Sequence, residues 1–366
     1  MNGQRIVSID VMRGLVMLLM TVDHVRETFY LQHQVGDPMD VGTTPPALFF
    51  TRLAAHFCAP MFVFLTGLSA WLYAHPPGGP RSATGFLARR GLLLLALEVT
   101  VVNAAWSGTA LSTIYLQVIW AIGLAMLALA LLHRLPLPVL GLLGLVIVGG
   151  HNALEQGTLP SAAWTILEQR GFLALDPVRI KVSYPVLAWI GVILLGYACG
   201  PLYARAAALR MRRLTLAGIA CLALLIVLRS MNGYGEPVPW TPQADGVHAT
   251  MAFLNFTKYP PSLDFLLLTL GVGCIALAWI ERVNTVATRV AAVFGGAPLF
   301  YYLLHLYALL VLQKLAAAAL GVPRADVAHV WQVWAIAALL AAVLYLPTRL
   351  FGSYKRTSGK GWVKYF

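Results

Sequence analysis

The chain has 366 residues, of which 59% are apolar and only 11% are charged, and its mean hydropathy is +0.76. Soluble globular proteins average about 25% charged residues, so this composition excludes a soluble protein of two or three domains and indicates a polytopic membrane protein. The net charge of +12 would suggest nucleic acid as a partner of a soluble protein, but in a membrane protein the placement of the charges decides their meaning.

Continuous apolar runs predict an all-α chain of about ten transmembrane helices. The runs lie at 11–30, 50–74, 86–105, 112–132, 136–150, 185–203, 212–230, 263–280, 296–318 and 330–348. Strands of a membrane barrel alternate apolar and polar residues, whereas these runs are unbroken, so we expect helices that satisfy their own backbone. The run at 136–150 is short for a span. The whole chain, 1–366, is expected to form a single transmembrane domain.

The charges test this arrangement, because ten spans place both termini on one side of the membrane. That side holds 16 of the 26 basic residues and one acid, Glu281, while 11 of the 14 acids lie on the other side. The basic residues are Arg5, Arg81, Arg89, Arg90, Arg134, Arg205, Arg210, Arg212, Arg213, Arg282, Arg289, Arg349, Lys355, Arg356, Lys360 and Lys364. Positive charge stays in the cytoplasm, so we predict cytoplasmic termini, a multi-pass protein of the cell (inner) membrane, and no nucleic acid partner.

The two longest loops, 151–184 and 231–262, fall on the outer side. They contain tryptophan, tyrosine and several prolines, and too few residues for a separate domain. Two interpretations stay open. The loops cap an outward-facing cavity, or they rest on the interface with their aromatic rings at headgroup level.

No metal site is predicted. The four cysteines, Cys58, Cys199, Cys221 and Cys274, sit singly in apolar runs without a C-x-x-C pair, so we interpret them as packing residues rather than disulfides or ligands. The histidines form neither H-x-x-x-H nor H-E-x-x-H, and zinc usually takes three or four ligands.

The first helix carries the densest group of ionisable residues, which are costly inside a membrane and therefore mark candidate sites. One of its faces carries, at spacings of three or four, Asp10, Arg13, Met17, Thr21 and His24. Arg13 and His24 are eleven residues apart, or about 16 Å of helical rise. This face thus combines a cation near the cytoplasmic boundary with an imidazole toward the outer leaflet. Alternatively, Asp10 and Arg13 anchor the helix end, and His24 with Asp23 forms an interfacial polar cap.

The second helix enters from outside with Arg52 and His56, one turn apart, so His56 should lie at about the depth of His24. Two imidazoles at one level, close to carboxylates, are suited to acid/base chemistry. His305 on the ninth helix is a further buried polar group. It forms either an interhelical hydrogen bond or a part of a ligand site.

The segment 256–264 opens the eighth helix from outside. Its prolines suit a first helical turn, and Ser262 can cap it. Lys258 stands at this helix N-terminus, where the helix dipole repels a cation, so an anion is expected beside it. That anion is substrate, Asp264 or a lipid phosphate. A lysine that only anchors the helix to lipid is the simpler alternative.

Four ordered motifs carry a family resemblance. They are Ser8-Ile9-Asp10-x-x-Arg13-Gly14 followed by Asp23-His24, Ala59-Pro60-x-Phe62-x-Phe64-Leu65-x-Gly67, Lys258-Tyr259-Pro260-Pro261-Ser262, and Gly296-x-Pro298-Leu299-Phe300-Tyr301-Tyr302-x-x-His305. Together they resemble bacterial relatives of the heparan-α-glucosaminide N-acetyltransferase catalytic domain, over most of the chain. The spacing Arg13-x10-His24 is also similar to the arginine–histidine motif of the wider membrane acyltransferase superfamily, which includes acyltransferase-3 proteins.

The resemblance implies a catalytic histidine and an acyl-CoA donor, with acetyl-CoA expected. His24 would be the general base, Asp23 would set its tautomer, and His56 would be a further catalytic candidate. An acyl-histidine intermediate stays open. The lysosomal enzyme's active histidine lies between the first two spans, where His24, His33 or a gap aligns with it.

The remaining expectations concern ligands. The donor site is expected to comprise Asp10, Arg13, Arg89, Arg90, Arg282 and His305. The acceptor, an amine or hydroxyl of a sugar or glycolipid, is expected to meet Arg52, Lys258, Tyr259 and Asp264. Membrane lipid is an expected partner, and a homodimer is left open.

Two other classes of membrane protein are compatible with the same sequence features. A transporter or lipid-binding membrane protein would also have polar residues in mid-membrane, but it would release no free CoA from acetyl-CoA. A structural or assembly partner would tolerate alanine at His24.

Overall fold

The computed structural model describes residues 7–33, 35–107, 113–154, 160–175 and 178–366. Arg5, Glu155 and Asp176, which contribute to the predicted charge asymmetry, lie outside the described residues. The chain is mostly helical, as predicted, with one small sheet. It forms two compact units that alternate along the sequence. The first contains Ala59–Trp240 and Phe256–Ala278, and the second contains Ile6–Cys58, Thr241–Asn255 and Trp279–Phe366.

The α-helices of the described residues are α1 (Val7–Phe29), α2 (Pro46–Ala55), α3 (Cys58–Ala74), α4 (Thr84–Leu97), α5 (Asn103–Ser107), α6 (Val118–Leu132), α7 (Leu137–Gly150), α8 (Ser161–Leu167), α9 (Leu187–Ala198), α10 (Ala207–Met231), α11 (Gly246–Phe253), α12 (Leu263–Ile280), α13 (Val286–Gly296), α14 (Pro298–Leu320) and α15 (Val330–Thr357). A π-helical segment, Glu98–Val102, joins α4 to α5. The strands are β1 (Thr113–Leu116), β2 (Gly171–Leu175) and β3 (Val178–Val182).

Six helices of the described residues are long and apolar enough to cross a membrane, so this is a multi-pass membrane protein. They are Pro46–Ala74, Leu187–Ala204, Ala207–Met231, Leu263–Ile280, Pro298–Leu320 and Val330–Thr357. The other four predicted spans also coincide with helices. However, α1 contains several charged residues, the third predicted span is interrupted by the π segment, and α6 and α7 have only 15 and 14 residues. The count of ten spans and the side of the termini stay predictions.

The second unit is built around α1, which packs against α2, α13, α14 and α15. Glycine permits the closest of these contacts. A Cβ at Gly14 would collide with the backbone of Ala291, and one at Gly295 would collide with the backbone of Asp10. Small residues at such crossings let helix backbones touch.

The predicted spans at 263–280 and 296–318 leave the residues between them as a connecting loop, but the structure forms the helix α13 there. Thr285 caps this helix by accepting a hydrogen bond from the backbone of Thr288, and the Thr288 side chain accepts one from the backbone of Thr285. This reciprocal cap starts a helix, and contact with α1 then buries it. Its length of 11 residues is too short to be recognised as a membrane span.

The second predicted helix is divided into α2 and α3. Pro60 has no backbone N–H to donate to the carbonyl of His56, and its ring clashes there. The α-helix is therefore interrupted between Ala55 and Cys58, and His56 lies at the break.

The first unit contains the sheet, whose strand order is β1-β3-β2. The strand β1 runs parallel to β3, and β2 runs antiparallel to it. The predicted span at 112–132 is therefore wrong at its beginning. Thr113–Leu116 alternates in character and contains β-branched and aromatic residues, which favours a strand, and α6 begins only at Val118.

Candidate active site

Two buried histidines, His24 of α1 and His305 of α14, form a pair in the second unit. Nδ1 of His24 lies 2.8 Å from Nε2 of His305. The rings are stacked, with centroids 5.0 Å apart and planes 8° from parallel. His24 is 9% exposed and His305 is fully buried. The structure thus brings together two residues with different predicted roles, since His24 was predicted to be the general base and His305 to belong to the donor site.

The partner of His305 determines where the protons sit. Nδ1 of His305 lies 2.9 Å from the backbone oxygen of Tyr301. A carbonyl oxygen only accepts, so Nδ1 of His305 carries its proton and Nε2 of the neutral ring is an acceptor. His24 consequently donates from Nδ1 to His305. In a neutral pair, Nε2 of His24 then carries the lone pair that can accept a proton.

Neighbouring side chains connect both helices at this level. The hydroxyl oxygens of Thr21 on α1 and Tyr301 on α14 lie 2.8 Å apart. The hydroxyl of Thr28 donates to the backbone oxygen of His24 at 2.7 Å. The rings of Tyr302 and His24 meet edge to face, with centroids 6.2 Å apart. These contacts hold the imidazole pair within the packed interior of the unit.

Asp23 has a different environment from the neighbouring His24. Its carboxylate accepts from Nε of Arg26 at 3.0 Å and from one nitrogen of Arg52 at 3.0 and 2.8 Å. Successive residues on a helix point about 100° apart, so Asp23 and His24 face different neighbours. From the family resemblance, we expected Asp23 to set the tautomer of His24. In the structure, Nδ1 of His24 faces Nε2 of His305, while Asp23 joins α1 to α2 through Arg52.

His56 is buried at the break between α2 and α3, and Arg52 is buried one turn before it. Both belong to the same unit as His24. Acid/base cooperation between His24 and His56 stays a prediction.

The predicted donor-binding residues are distributed over both units. In the second unit, Arg13 is half-buried with its guanidinium 3.6 Å from Asp10, and Arg282 is exposed after α12. In the first unit, α4 carries Arg89, which is exposed, and Arg90, which is half-buried. A joint role in binding donor phosphates stays a prediction.

The predicted acceptor residues Lys258, Tyr259 and Asp264 belong to the first unit. Lys258 is 3% exposed and Asp264 is fully buried. The ammonium of Lys258 lies 5.2 Å from the centroid of the Tyr259 ring, and the hydroxyl of Tyr259 donates to that of Tyr184 at 3.1 Å. Within the part of the chain that the structure describes, neither carboxylate oxygen of Asp264 has a hydrogen-bond partner.

Sequence reasoning gave no site role to Arg229 or Glu236, which share this region. Glu236 accepts hydrogen bonds from the hydroxyl of Ser262 at 2.6 Å and from the backbone nitrogen and hydroxyl of Thr257. Burial raises the pKa of Glu236, while these bonds and the charge of Arg229 oppose the rise. The sequence feature that could have indicated this cluster is Arg229 itself, an arginine near the end of the apolar helix α10.

Gly235 shows how closely this cluster is packed. Its φ of +106° favours glycine, and a Cβ there would collide with the carboxylate of Asp264. The backbone nitrogen of Asp264 also donates to the Gly235 oxygen at 3.0 Å. The loop after α10 and the start of α12 are therefore held together at Asp264.

Comparison with known families adds one finding. Residues 5–232 match the family model described as "Heparan-alpha-glucosaminide N-acetyltransferase, catalytic". No curated protein matches the chain. The matched segment, more than half of the chain, contains His24, Arg52 and His56, while His305 and the 256–264 segment follow it.

Proposed function

Because the chain belongs to the family of the heparan-alpha-glucosaminide N-acetyltransferase catalytic domain, we propose that it is a membrane acetyltransferase of the cell's inner membrane. It moves an acetyl or other short acyl group from cytosolic acyl-CoA to an amine or hydroxyl of a sugar or glycolipid at the outer face. The observation that carries this proposal is the hydrogen-bond chain from His24 through His305 to the carbonyl of Tyr301, because it leaves a basic nitrogen at Nε2 of His24.

In the proposed reaction, the acceptor nitrogen or oxygen attacks the thioester carbonyl while Nε2 of His24 takes its proton. The C–S bond then breaks, CoA leaves as a thiolate, and the thiolate takes the proton from the imidazolium of His24. Throughout the reaction, Nδ1–H of His305 donates to the carbonyl of Tyr301, and Nε2 of His305 accepts from Nδ1–H of His24. In the covalent alternative, Nε2 of His24 attacks the thioester carbonyl, the C–S bond breaks and CoA leaves as the thiolate. The acceptor then attacks the acyl-imidazole, its proton passes to the thiolate, and free His24 is regenerated.

The donor is proposed to enter from the cytoplasmic end of α1. This helix is unbroken over Val7–Phe29, so Arg13 lies about 16 Å from His24 along the axis. The guanidinium of Arg13, oriented by Asp10, would bind a donor phosphate, and Arg282 of the same unit would supply a further cationic contact. Arg89 and Arg90 of the first unit stay separate predicted donor contacts. On the acceptor side, Arg52 of the second unit is one proposed contact, and Lys258, Tyr259 and Asp264 of the first unit are proposed contacts in their own right.

The proposal is tested by measuring free CoA. The purified protein in lipid nanodiscs is mixed with acetyl-CoA and a panel of amino sugars, neutral sugars and glycolipids. We expect release of free CoA in equal amount to the acetylated acceptor, and a loss of both with His24→Asn. A transporter or a lipid-binding protein would release no CoA, so absence of release with every acceptor, in a protein that binds CoA, would contradict an acyltransferase.

A further inference from the structure

The sheet of the first unit has two chemically different faces. Side chains alternate along a strand, so β3 directs Ile180 and Val182 to one face and Arg179 and Lys181 to the other. Val182 is completely buried, which identifies the first face as the packed one. The second face carries the cations.

Aromatic rings lie beside these cations. The register pairs Lys181 with Phe172 of β2 and with Tyr115 of β1. The guanidinium carbon of Arg179 lies 4.6 Å from the centroid of Phe172. The ammonium of Lys181 lies 5.6 Å from the Phe172 centroid and 5.8 Å from the Tyr115 centroid. The Phe172 ring is nevertheless 51% exposed.

A third cation, Arg170, stands directly before β2. The pKa of Lys181 is lowered by burial and by the charge of Arg170, so like charges repel each other here. Among the described residues of the three strands there is no acidic side chain on the cationic face. An anion bound at this face would relieve the repulsion.

The connections of the sheet place it at the ends of apolar helices. The strand β1 ends at Leu116 and α6 begins at Val118, while β3 ends at Val182 and α9 begins at Leu187. A chain advances by at most about 3.6 Å per residue, so the strand ends lie within about 7 and 18 Å of the helix starts. The headgroup layer is about 5–8 Å thick on each side of a bilayer, so the short connection to α6 keeps the end of β1 near the headgroup level that the predicted span of α6 reaches. The cations also oppose the charge asymmetry of the chain, since the segment 170–181 is predicted to lie outside.

We propose that this cationic face, formed by Tyr115, Phe172, Arg179 and Lys181 with Arg170 beside it, binds the phosphate of an anionic phospholipid headgroup. The cations contact the phosphate, and the exposed Phe172 ring packs against the glycerol and upper acyl chain. The lipid is favoured over free phosphate because phosphate alone would gain nothing from an exposed phenyl ring at headgroup depth.

The test compares lipid binding in nanodiscs of phosphatidylcholine with increasing phosphatidylglycerol, using native mass spectrometry to count the phosphatidylglycerol retained per protein. Each Lys or Arg near an anionic surface contributes about 1 kcal/mol. The double variant Arg179→Gln, Lys181→Gln should therefore bind about 30-fold more weakly. The charge-preserving variant Arg179→Lys, Lys181→Arg should bind like the wild type. The matched control Arg212→Gln, Arg213→Gln removes the same charge from the exposed start of α10, so it should lose only the general attraction of surface cations to anionic lipid and fall less than the double variant in the sheet.

Three results would overturn the proposal. They are wild-type binding by the double glutamine variant, an equal loss in the α10 control, and displacement of the lipid by inorganic phosphate at equal concentration. A titration of the wild type with NaCl avoids any folding defect in the variants. Phosphatidylglycerol binding should weaken with salt, and salt-independent binding would also contradict a cationic site.

Discussion

Two buried histidines make hydrogen bonds of the same length with different partners. In the second unit, Nδ1 of His24 lies 2.8 Å from Nε2 of His305. In the first unit, Nδ1 of His151 lies 2.8 Å from a carboxylate oxygen of Glu168. Both arrangements orient an imidazole, so hydrogen-bond geometry alone does not identify a catalytic base.

The surroundings distinguish the two pairs. His151 is 2% exposed, and within the described residues its Nε2 has no hydrogen-bond partner. His24 lies on an unbroken helix that also carries Arg13, a cation suited to a CoA phosphate. The comparison teaches that a base must be oriented and must also lie where both substrates can reach it. We therefore propose a chemical role for His24 and a structural role for His151.

The largest expected effect tests this assignment. Asparagine imitates the hydrogen bonds of a neutral imidazole but cannot take a proton, so His24→Asn should lower turnover by about 10²–10⁴-fold. His151→Asn should leave turnover per folded molecule near the wild-type value. Turnover is measured by CoA release, with thermal stability and CoA binding as controls. If His151→Asn lost turnover as strongly as His24→Asn at unchanged stability, the proposed difference in role between the two histidines would be wrong.

The second effect concerns Arg13, the cation on the same helix as His24. Arg13→Ala should weaken CoA binding by about 10- to 100-fold, because a charge-assisted contact contributes about 1.5–3 kcal/mol. Arg13→Lys should also be impaired if the guanidinium binds phosphate with both nitrogens. Titration calorimetry with CoA measures the affinity, and Arg134→Ala, at an exposed basic position, is the control. Unchanged affinity in folded Arg13→Ala would reduce Arg13 to a helix anchor.

The third effect concerns stability. Glu168→Ala removes the partner of buried His151 and should lower the free energy of unfolding by about 1–3 kcal/mol, with turnover per folded molecule preserved. Glu168→Gln retains an acceptor oxygen and should cost less. Thermal and denaturant unfolding in detergent measure both variants. If Glu168→Ala is as stable as the wild type, the pair does not stabilise the first unit.

The smallest effect concerns the pH dependence of folding stability, which should differ in sign between a buried carboxyl, Glu236, and an exposed one, Asp245. Burial raises the pKa of Glu236, so its contribution to folding stability is full below the ordinary glutamate pKa of about 4.3 and is lost as the pH rises through the raised value. Hydrogen bonds from His248 and Val247 lower the pKa of Asp245, so its contribution is present above about 3.9 and is lost as the pH falls.

The corresponding variants should change the pH slope of stability in opposite directions. Glu236→Gln removes a loss of stability with rising pH, and Asp245→Asn removes a gain. Unfolding measured from pH 3 upward tests both, and equal slopes in wild type and Glu236→Gln would show that the pKa of Glu236 is the same in the folded and the unfolded protein.

The sequence predicted the parts of the site that follow from local periodicity. Spacings of three and four placed Arg13 and His24 on one face of α1, and continuous apolar runs indicated the helices. The pairing of His24 with His305 depends on how α14 packs against α1, 281 residues along the chain, and no local pattern encodes it. The strand β1 was missed because it precedes an apolar run without a break.

The charged residues around α12 were likewise predicted only where a local pattern marked them. The sequence singled out Lys258 before the start of α12, and the structure shows Lys258 and Asp264 both buried there. Arg229 and Glu236 approach that segment only through the fold of the loop after α10. Their contribution could not be predicted from spacing.

The most direct test of the central claim is the protonation of the His24 ring. Solid-state NMR of protein labelled with ¹⁵N-histidine distinguishes protonated from unprotonated ring nitrogens, and the His24 signals are identified by their loss in His24→Asn. We predict that, in the neutral ring, Nδ1 carries the proton and Nε2 does not. A neutral His24 protonated at Nε2 would contradict the proposed hydrogen-bond chain and remove the basic nitrogen from the position where the reaction needs it.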